Sequence, residues 1–540
     1  MPTTTATAGY LSDAWLRLAA GLDPAPDPGR RSTVALRLTV TDPPPGVHAT
    51  VDAHVDLEAG RLAVTPAAGE PPALLIALPY AAAHTLLLGA ARPRAELLET
   101  GDVTITGNFS LLFFIDAALQ RDRSGHVAAL RAATAVPPGH PSWAEPQPET
   151  GTAQETGTAQ ETGTAQADRE ALLRAGDALP DTLRELSREV GTSTPGAQFY
   201  VSRDGEVLAD VGLGLARPGV AMTARSAPLW YCCAKPLLSV ALGRLWEAGD
   251  FDPYRPVAEY LPEFGTKGKS RITAMELLCH TGPLATGLDP LHGVVTGPDA
   301  ERLRRALDVP VPARSPGDRP GIAYSQWWAW FVLARLLPAI DGRDYVDFVE
   351  QQILRPCGMD RTRVRLTSEE YAAYGDQLPL IHVSNLGDVP QPTYFWSTRG
   401  ATTRCVPGVN TRGPLSDLGR LFEMMLGGGT APGGRVLAPT TTAALTARHR
   451  TGLTDRYGNA DWGFGFRLEC RSLGSAYTSF SRHASPRAFG HDGLWTAVVF
   501  ADPEARLTVA VHLNGKVEHE RHRERILRIA DAVYQDLRLT

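Results

Sequence analysis

The chain has 540 residues, a formal net charge of -6, 43% hydrophobic and 21% charged residues. That length exceeds one ordinary domain and predicts two or three, and the acidic balance argues against a nucleic-acid partner. Six cysteines without a C-x-x-C pair, two of them adjacent at Cys232-Cys233, predict reduced thiols in a cytoplasm rather than disulfides.

Met1 to Trp15 shows no basic run followed by an apolar core, so no secretory signal is expected. Leu11 to Leu22 reads as an amphipathic helix. Val34 to Val40, Val51 to Leu57 and Arg61 to Thr65 alternate as half-buried strands do. The most apolar run, Ala73 to Ala91, holds Pro79, Tyr80, His84 and Thr85 and reads as buried structure, helical over Ala81 to Ala90, rather than a membrane span. Gly101 to Asn108 is a short strand with turn signals at both ends, and Phe109 to Leu119 is again apolar. Pro137 to Pro148 is proline-rich, and Glu149 to Gln166 repeats ETGTAQ three times. Such sequence buries little apolar surface and predicts a flexible linker over 126–168.

From Arg169 a large domain is expected. Asp168 to Glu189 is helix-like, and Gly196 to Glu206 reads as strand, turn and strand. Thr273 to Gly282, Gly321 to Gln326 and an apolar helix through Leu337 follow. Then come Trp462-Gly463-Phe464-Gly465-Phe466, Phe489 to Leu494, strands over Trp495 to Phe500 and Leu507 to Leu513, and a last helix over Glu518 to Leu537.

The domain is organised around Trp230 to Pro236. Cys232 and Lys235 stand three apart, on one face of a helix. Pro236 is tolerated only in a first turn, so the helix is predicted to begin near Cys232. A thiol there meets the positive end of the helix dipole with an amine alongside, and both favour the nucleophilic thiolate. The chain holds four lysines, Lys235, Lys267, Lys269 and Lys516, against many arginines. Lysine, unlike arginine, can give up its proton, as a proton shuttle must. The plain alternative is a buried small thiol beside a snorkelling lysine.

Two resemblances follow. The first block, with its small apolar helix and the segment GDVTITGNFSLL, resembles the sterol-carrier-protein-like lipid-binding domain over about 90 residues. The resemblance implies an α/β domain over 1–125, whose sheet closes over an apolar tunnel. The block then binds an acyl chain or other apolar ligand, or serves as a docking or dimerisation module with its tunnel filled.

Residues 169–540 resemble the serine beta-lactamase and penicillin-binding-protein-like superfamily, in its class C and esterase branch. CCAK stands where that family has Ser-x-x-Lys, and LWEAGDFDPYRPVAEYLPEF is similar to the stretch after the nucleophile helix. ITAMELLCHTGPL, GIAYSQ (at Tyr-x-Asn), ILRPCGMDRT and FGHDGL (at Lys-Thr-Gly or His-x-Gly) complete six ordered motifs. The fold class implied for the chain is α+β, with a mixed antiparallel sheet flanked by helices plus an all-helical lobe in this domain. Two positions depart from the pattern: Cys232 replaces the serine, and Gln326 replaces the asparagine.

By resemblance, Cys232 is the nucleophile and becomes an acyl-thioester, while Lys235 and Tyr324 share the proton work. Backbone amides of Cys232 and Leu494 form the oxyanion hole, beside Gly493. His491 lines the site and orients Tyr324 or the substrate, and Gln326 stands at the substrate-contact position. His280 is read as structural and Cys233 as core. Trp327, Trp328 and Trp396 are candidates for the wall of an apolar pocket, or core packing.

A thioester is attacked readily by amines and less so by water, which points to acyl transfer to an amine or another nucleophile. The donor is a small, apolar ester, amide or thioester, the last on coenzyme A or a carrier protein. A hydrolase (esterase or amidase) of the same fold and a non-catalytic lipid-binding scaffold are the alternatives. No cofactor or metal is called for. The composition, rich in arginine, alanine and proline, associates with high-GC bacteria that make specialised metabolites.

Overall fold

A computed structural model of the chain describes residues 8–22, 33–72, 74–99, 102–107, 110–122, 125–135, 158–282, 299–311, 322, 324–384, 390–455 and 461–540. The chain divides into two compact units. One comprises Met1–Gln154, Pro290–Arg302 and His382–Ala401; the other comprises Glu155–Asp289, Leu303–Ile381 and Thr402–Thr540. No helix among the described residues is long and apolar enough to cross a membrane, and all six cysteines are free thiols.

In the first unit, α1 (Asp13–Leu22) precedes β1 (Thr33–Val40), β2 (Thr50–Asp56), β3 (Arg61–Pro66) and β4 (Leu74–Leu78). Then come α2 (Tyr80–Leu88), α3 (Ala91–Leu97), β5 (Thr104–Gly107), α4 (Ser110–Arg121) and α5 (His126–Ala133). The sheet order is β3-β2-β1-β4-β5, with β1 and β4 parallel and the other neighbours antiparallel. The alternation read from the sequence appears in burial: Leu36, Leu38 and Val40 are buried, while Arg37 is half-buried and Thr39 exposed. The apolar run from Ala73 is two elements, β4 and α2. Pro79, in extended conformation at the helix N-cap, separates them, because it cannot donate to the ladder yet pre-sets φ for the turn into the helix.

The expected linker over 126–168 holds more structure than its composition predicts. α5 packs on α1 and β3, so the first unit runs past residue 125. The third ETGTAQ repeat lies in helix α6 (Thr158–Ala178). Leu172 and Ala175, near the end of that helix, are packed in the core of the second unit. Once those turns are anchored, extending the helix through the repeat at the N-terminal side needs no new nucleus, even with Thr162, Gly163 and Thr164 among its residues. The proline-rich stretch and the first repeat lie outside the described residues.

The second unit continues with α7 (Pro180–Glu189), β6 (Gly196–Arg203), β7 (Glu206–Arg217) and β8 (Val220–Ala221). α6 and α7 are separate helices because Leu179, which precedes Pro180, leaves the helical region (φ -137°, ψ 58°). β6 and β7 are joined by Asp204-Gly205, both at positive φ (55° and 82°), the backbone of a two-residue hairpin turn. β9 (Arg467–Leu468), β10 (Phe489–Gly493), β11 (Ala497–Asp502) and β12 (Leu507–Leu513) complete an antiparallel sheet of order β8-β7-β6-β12-β11-β10-β9.

Both faces of this sheet are covered. Phe199, Val201, Phe500 and Val509 pack with Leu186 of α7 and with Ile526 and Val533 of the last helix, residues 519–536. Tyr200, on the opposite face by strand alternation, meets another helix, Leu415–Leu426: a side chain added at Gly419 would come within 2.3 Å of its ring. A helical lobe of α8 (Lys235–Ala248), α9 (Ala274–Leu278) and α10 (Trp328–Ile340) packs α10 on α8 and α9. The arrangement is the α+β class expected from the sequence.

Candidate active site

The chain enters the site at Trp230, which is pinned by two hydrogen bonds: its backbone N–H donates to Thr411 O (3.0 Å) and its indole Nε1 to Gly413 O (2.7 Å). Tyr231 follows at a φ of 48°, a left-handed conformation rare for a ring-bearing residue and of the kind that collects at functional sites. Residues Tyr231–Ala234 form a 3₁₀ turn, and α8 starts only at Lys235. The reason lies in Pro236. It cannot give the helical bond to Cys232 O, so the N–H of Lys235 takes that carbonyl in a three-residue span instead. In such a turn, positions three apart are eclipsed. Cys232 and Lys235 therefore share one side, with Cys232 6% exposed and Lys235 fully buried. Cys233 points elsewhere: its thiol donates to His491 O (3.4 Å) and burial raises it well above the ordinary thiol range.

Lys235 Nζ donates to two backbone carbonyls, Gln326 O (2.9 Å) and Gly408 O (3.2 Å). It lies 5.2 Å from the Trp330 ring centroid and 5.8 Å from that of Tyr324. Gly408 is a requirement of this contact: it has φ +71°, and a Cβ there would stand 2.9 Å from Lys235 Cγ.

Tyr324 neighbours Cys232, and the two side chains interact electrostatically. Burial first, and the neighbouring Cys232 and Asp492 next, push its phenol well above the ordinary range, so the hydroxyl keeps its proton at neutral pH. His280 stacks on the Tyr324 ring with centroids 4.4 Å apart, and its Nδ1 accepts from Ser325 N (3.2 Å). It thus holds the backbone beside Tyr324 and, with its own ionisation suppressed by burial, adds no charge.

His491, on β10, completes the cluster. Burial lowers its imidazole to about 4 against the pull of Asp492, so it is neutral at neutral pH. Nδ1 lies 2.9 Å from Asp492 O. A carbonyl can only accept, so Nδ1 carries the hydrogen and Nε2 the lone pair. Nε2 is buried and has no partner. Asp492 is itself paired with Arg467 (3.0 Å).

β10 comes against the Cys232 turn because residue 493 is glycine: a Cβ there would stand 2.3 Å from Trp230 O and 3.3 Å from Cys233 Sγ. Leu494 and Trp495 follow at φ 30° and 63°, and Thr496 N returns to Gly493 O (2.9 Å). Two left-handed residues without a glycine make this a strained hairpin turn.

The structure brings Cys232, Lys235, Tyr324, His491 and Gly493 together, with Leu494 next in the chain. The carbonyl of Gln326 serves Lys235, while its side-chain Oε1 accepts from Trp327 Nε1 (3.1 Å). Trp327 and Trp328 are buried, and Trp328 donates to Ala306 O; Trp396 belongs to the first unit. The aromatic walls are other tryptophans. Trp330 faces Lys235, and Trp462 lies 4.6 Å from His280, 5.5 Å from His491 and 5.8 Å from Tyr324. Gly465, in the WGFGF run, lets the chain pass close to one of them: it has φ +75°, and a Cβ there would stand 2.8 Å from Trp330.

Comparison with known proteins identifies the family. Residues 172–534, more than half of the chain, match the Beta-lactamase family model. The chain is 27% identical over 347 residues to Esterase/beta-lactamase LipL of Mycobacterium tuberculosis, covering 58% of this chain and 76% of that one. It is 26% identical over 358 residues to Esterase EstB of Burkholderia gladioli, covering 60% and 86%. Among solved structures, EstCE1, described as a hydrolase with promiscuous acyltransferase activity, aligns with a TM-score of 0.53 at 20% identity over 68% of this chain and 99% of that one. The chain belongs to the beta-lactamase family.

Proposed function

We propose that the protein transfers an acyl group through a thioester on Cys232. The observation that carries the reading is the meeting of Cys232 with the Tyr324 phenol and the fully buried Lys235, whose Nζ lies 5.8 Å from the Tyr324 ring centroid. Cys232 Sγ adds to the carbonyl carbon of the donor, and the backbone amides of Cys232 and Leu494 take the oxygen that becomes negative. The C–O, C–S or C–N bond to the leaving group then breaks. The thiol proton passes through Tyr324, with Lys235 alongside, to the departing atom. In the second half, an amine or other nucleophile attacks the thioester, the C–S bond breaks, and the proton returns to sulfur. His491 Nε2, neutral and without a partner, offers an acceptor to a donor group on the substrate.

Sulfur favours transfer over hydrolysis because thioesters react readily with amines and slowly with water. The esterase descriptions of the two relatives favour a second reading, in which water is the acceptor. Intact mass after incubation with an activated ester tests the first step: the wild type gains one acyl group, and Cys232→Ala gains none. An adduct on Cys232→Ala would refute the assignment. Product ratios with and without an added amine then separate transfer from hydrolysis.

The same proposal reads the first unit, extended past residue 125 by α5, as a sterol-carrier-like domain and the second unit as the catalytic domain. The five-stranded sheet flanked by helices in the first unit supports the first of these. A place in bacterial specialised metabolism fits an amide-forming step.

A further inference from the structure

The first unit contains an apolar cavity of about 530 Å³, counted with the solvent at its mouth. Leu36, Ile76, Leu87, Leu112, Ile115 and Phe395 contribute to its wall. Phe395 comes from the stretch His382–Ala401, which belongs to this unit although it lies far along the chain. Glu99 ties that stretch in place. Its carboxylate accepts from Gly400 N (3.1 Å), Ala401 N (2.5 Å) and Thr398 Oγ1.

Arg94 and Asp116 also line this cavity. Arg94 is 4% exposed, and its Nε donates to Asp116 Oδ1 (2.7 Å). Gln120 Nε2 holds the other carboxylate oxygen (2.8 Å). Nη1 and Nη2 of Arg94 are buried without a hydrogen-bond partner. A buried guanidinium edge left unpaired is costly and is ordinarily satisfied. An acceptor oxygen on an otherwise apolar molecule would satisfy it. The guanidinium charge is already matched by Asp116, so a carboxylate head would bring an uncompensated charge out of water. A carbonyl oxygen brings lone pairs and no charge.

We propose that this cavity is a second ligand site, separate from Cys232, for a molecule with an alkyl body and a neutral carbonyl head, a ketone or ester, held by Nη1 and Nη2 of Arg94. It rests on the reading of the N-terminal block as a ligand-binding rather than a docking module, and it is independent of the acyl chemistry.

The test is isothermal titration of the full Cys232→Ala chain with 2-nonanone, nonanoate and nonylamine, which share a chain length and differ in the head. 2-Nonanone is expected to bind at least about tenfold more tightly than the other two. Arg94→Met combined with Asp116→Asn, which removes the pair together, is expected to weaken the ketone by roughly 10- to 100-fold, the range for a hydrogen bond to a charged donor. Leu112→Trp, which fills the cavity, is expected to abolish binding. Should the double variant fail to fold, Arg94→Lys keeps the charge and removes the fork, and the same weakening is expected. No ketone binding, unchanged binding in a folded Arg94 variant, or nonanoate or nonylamine binding as tightly would overturn the proposal. Acylation of wild-type Cys232 by an activated ester is scored separately, so loss of either result leaves the other standing.

Discussion

His491 makes a prediction whose size can be worked from the structure. The side chain is 1% exposed, and burial lowers its pKa to about 4, against about 6.5 in an unfolded chain. Above pH 6.5 both states are neutral and the residue contributes nothing to pH dependence. As pH falls from 6.5 towards 4, the unfolded chain takes up the proton first, so stability falls with falling pH and levels off below 4. Between pH 7.5 and 5.0 this amounts to about 2 kcal/mol. His491→Gln keeps a neutral hydrogen-bonding group and should lose that increment. The assay is the urea midpoint of wild type and variant at both pH values. Because the chain has two units, the quantity compared is the difference between the two proteins, not one unfolding free energy. Equal pH shifts in the two proteins would refute the buried neutral imidazole. So would an acid limb near pH 6.5 in kcat/KM that disappears in the variant, since a native imidazole at about 4 cannot produce it.

Three further outcomes are expected from the site. Cys232→Ser should form the acyl-enzyme but partition more towards hydrolysis, read as the ratio of acid to amide product; an unchanged ratio would remove the reason given for sulfur. Lys235→Met and Tyr324→Phe should each lower kcat by roughly 10²- to 10⁴-fold, and the double variant by little more, as coupled groups do; strictly additive losses would argue against a shared proton path. Gly493→Ala places a Cβ 2.3 Å from Trp230 O, and a displacement near 1 Å should lower kcat by about 100-fold with circular dichroism unchanged; full activity would show that β10 need not approach the Cys232 turn.

The sequence by itself determined the elements whose signals are local. The strand over Leu507 to Leu513 spans its expected bounds, the Asp204-Gly205 turn follows from residue type, and the last helix ends within a residue of its expected bounds. Ordered motifs likewise selected Cys232, Lys235, Tyr324 and His491, because chemistry of this kind restricts residue type at fixed places. Tertiary structure decided what depends on distant neighbours. Lys235 is held by carbonyls 91 and 173 residues away, and no spacing rule near Cys232 could name them. Trp330 and Trp462, rather than Trp327, Trp328 or Trp396, flank the site, because which side of a buried aromatic faces a cleft is set by packing across the whole unit. The neutral state of His491 is a sum of desolvation and the charges of Asp492, Lys235 and Arg467, two of them from other elements. The helical third repeat shows the same limit from the other side. Composition described a free chain, whereas the anchored turns of α6 supplied a nucleus that the repeat alone lacks.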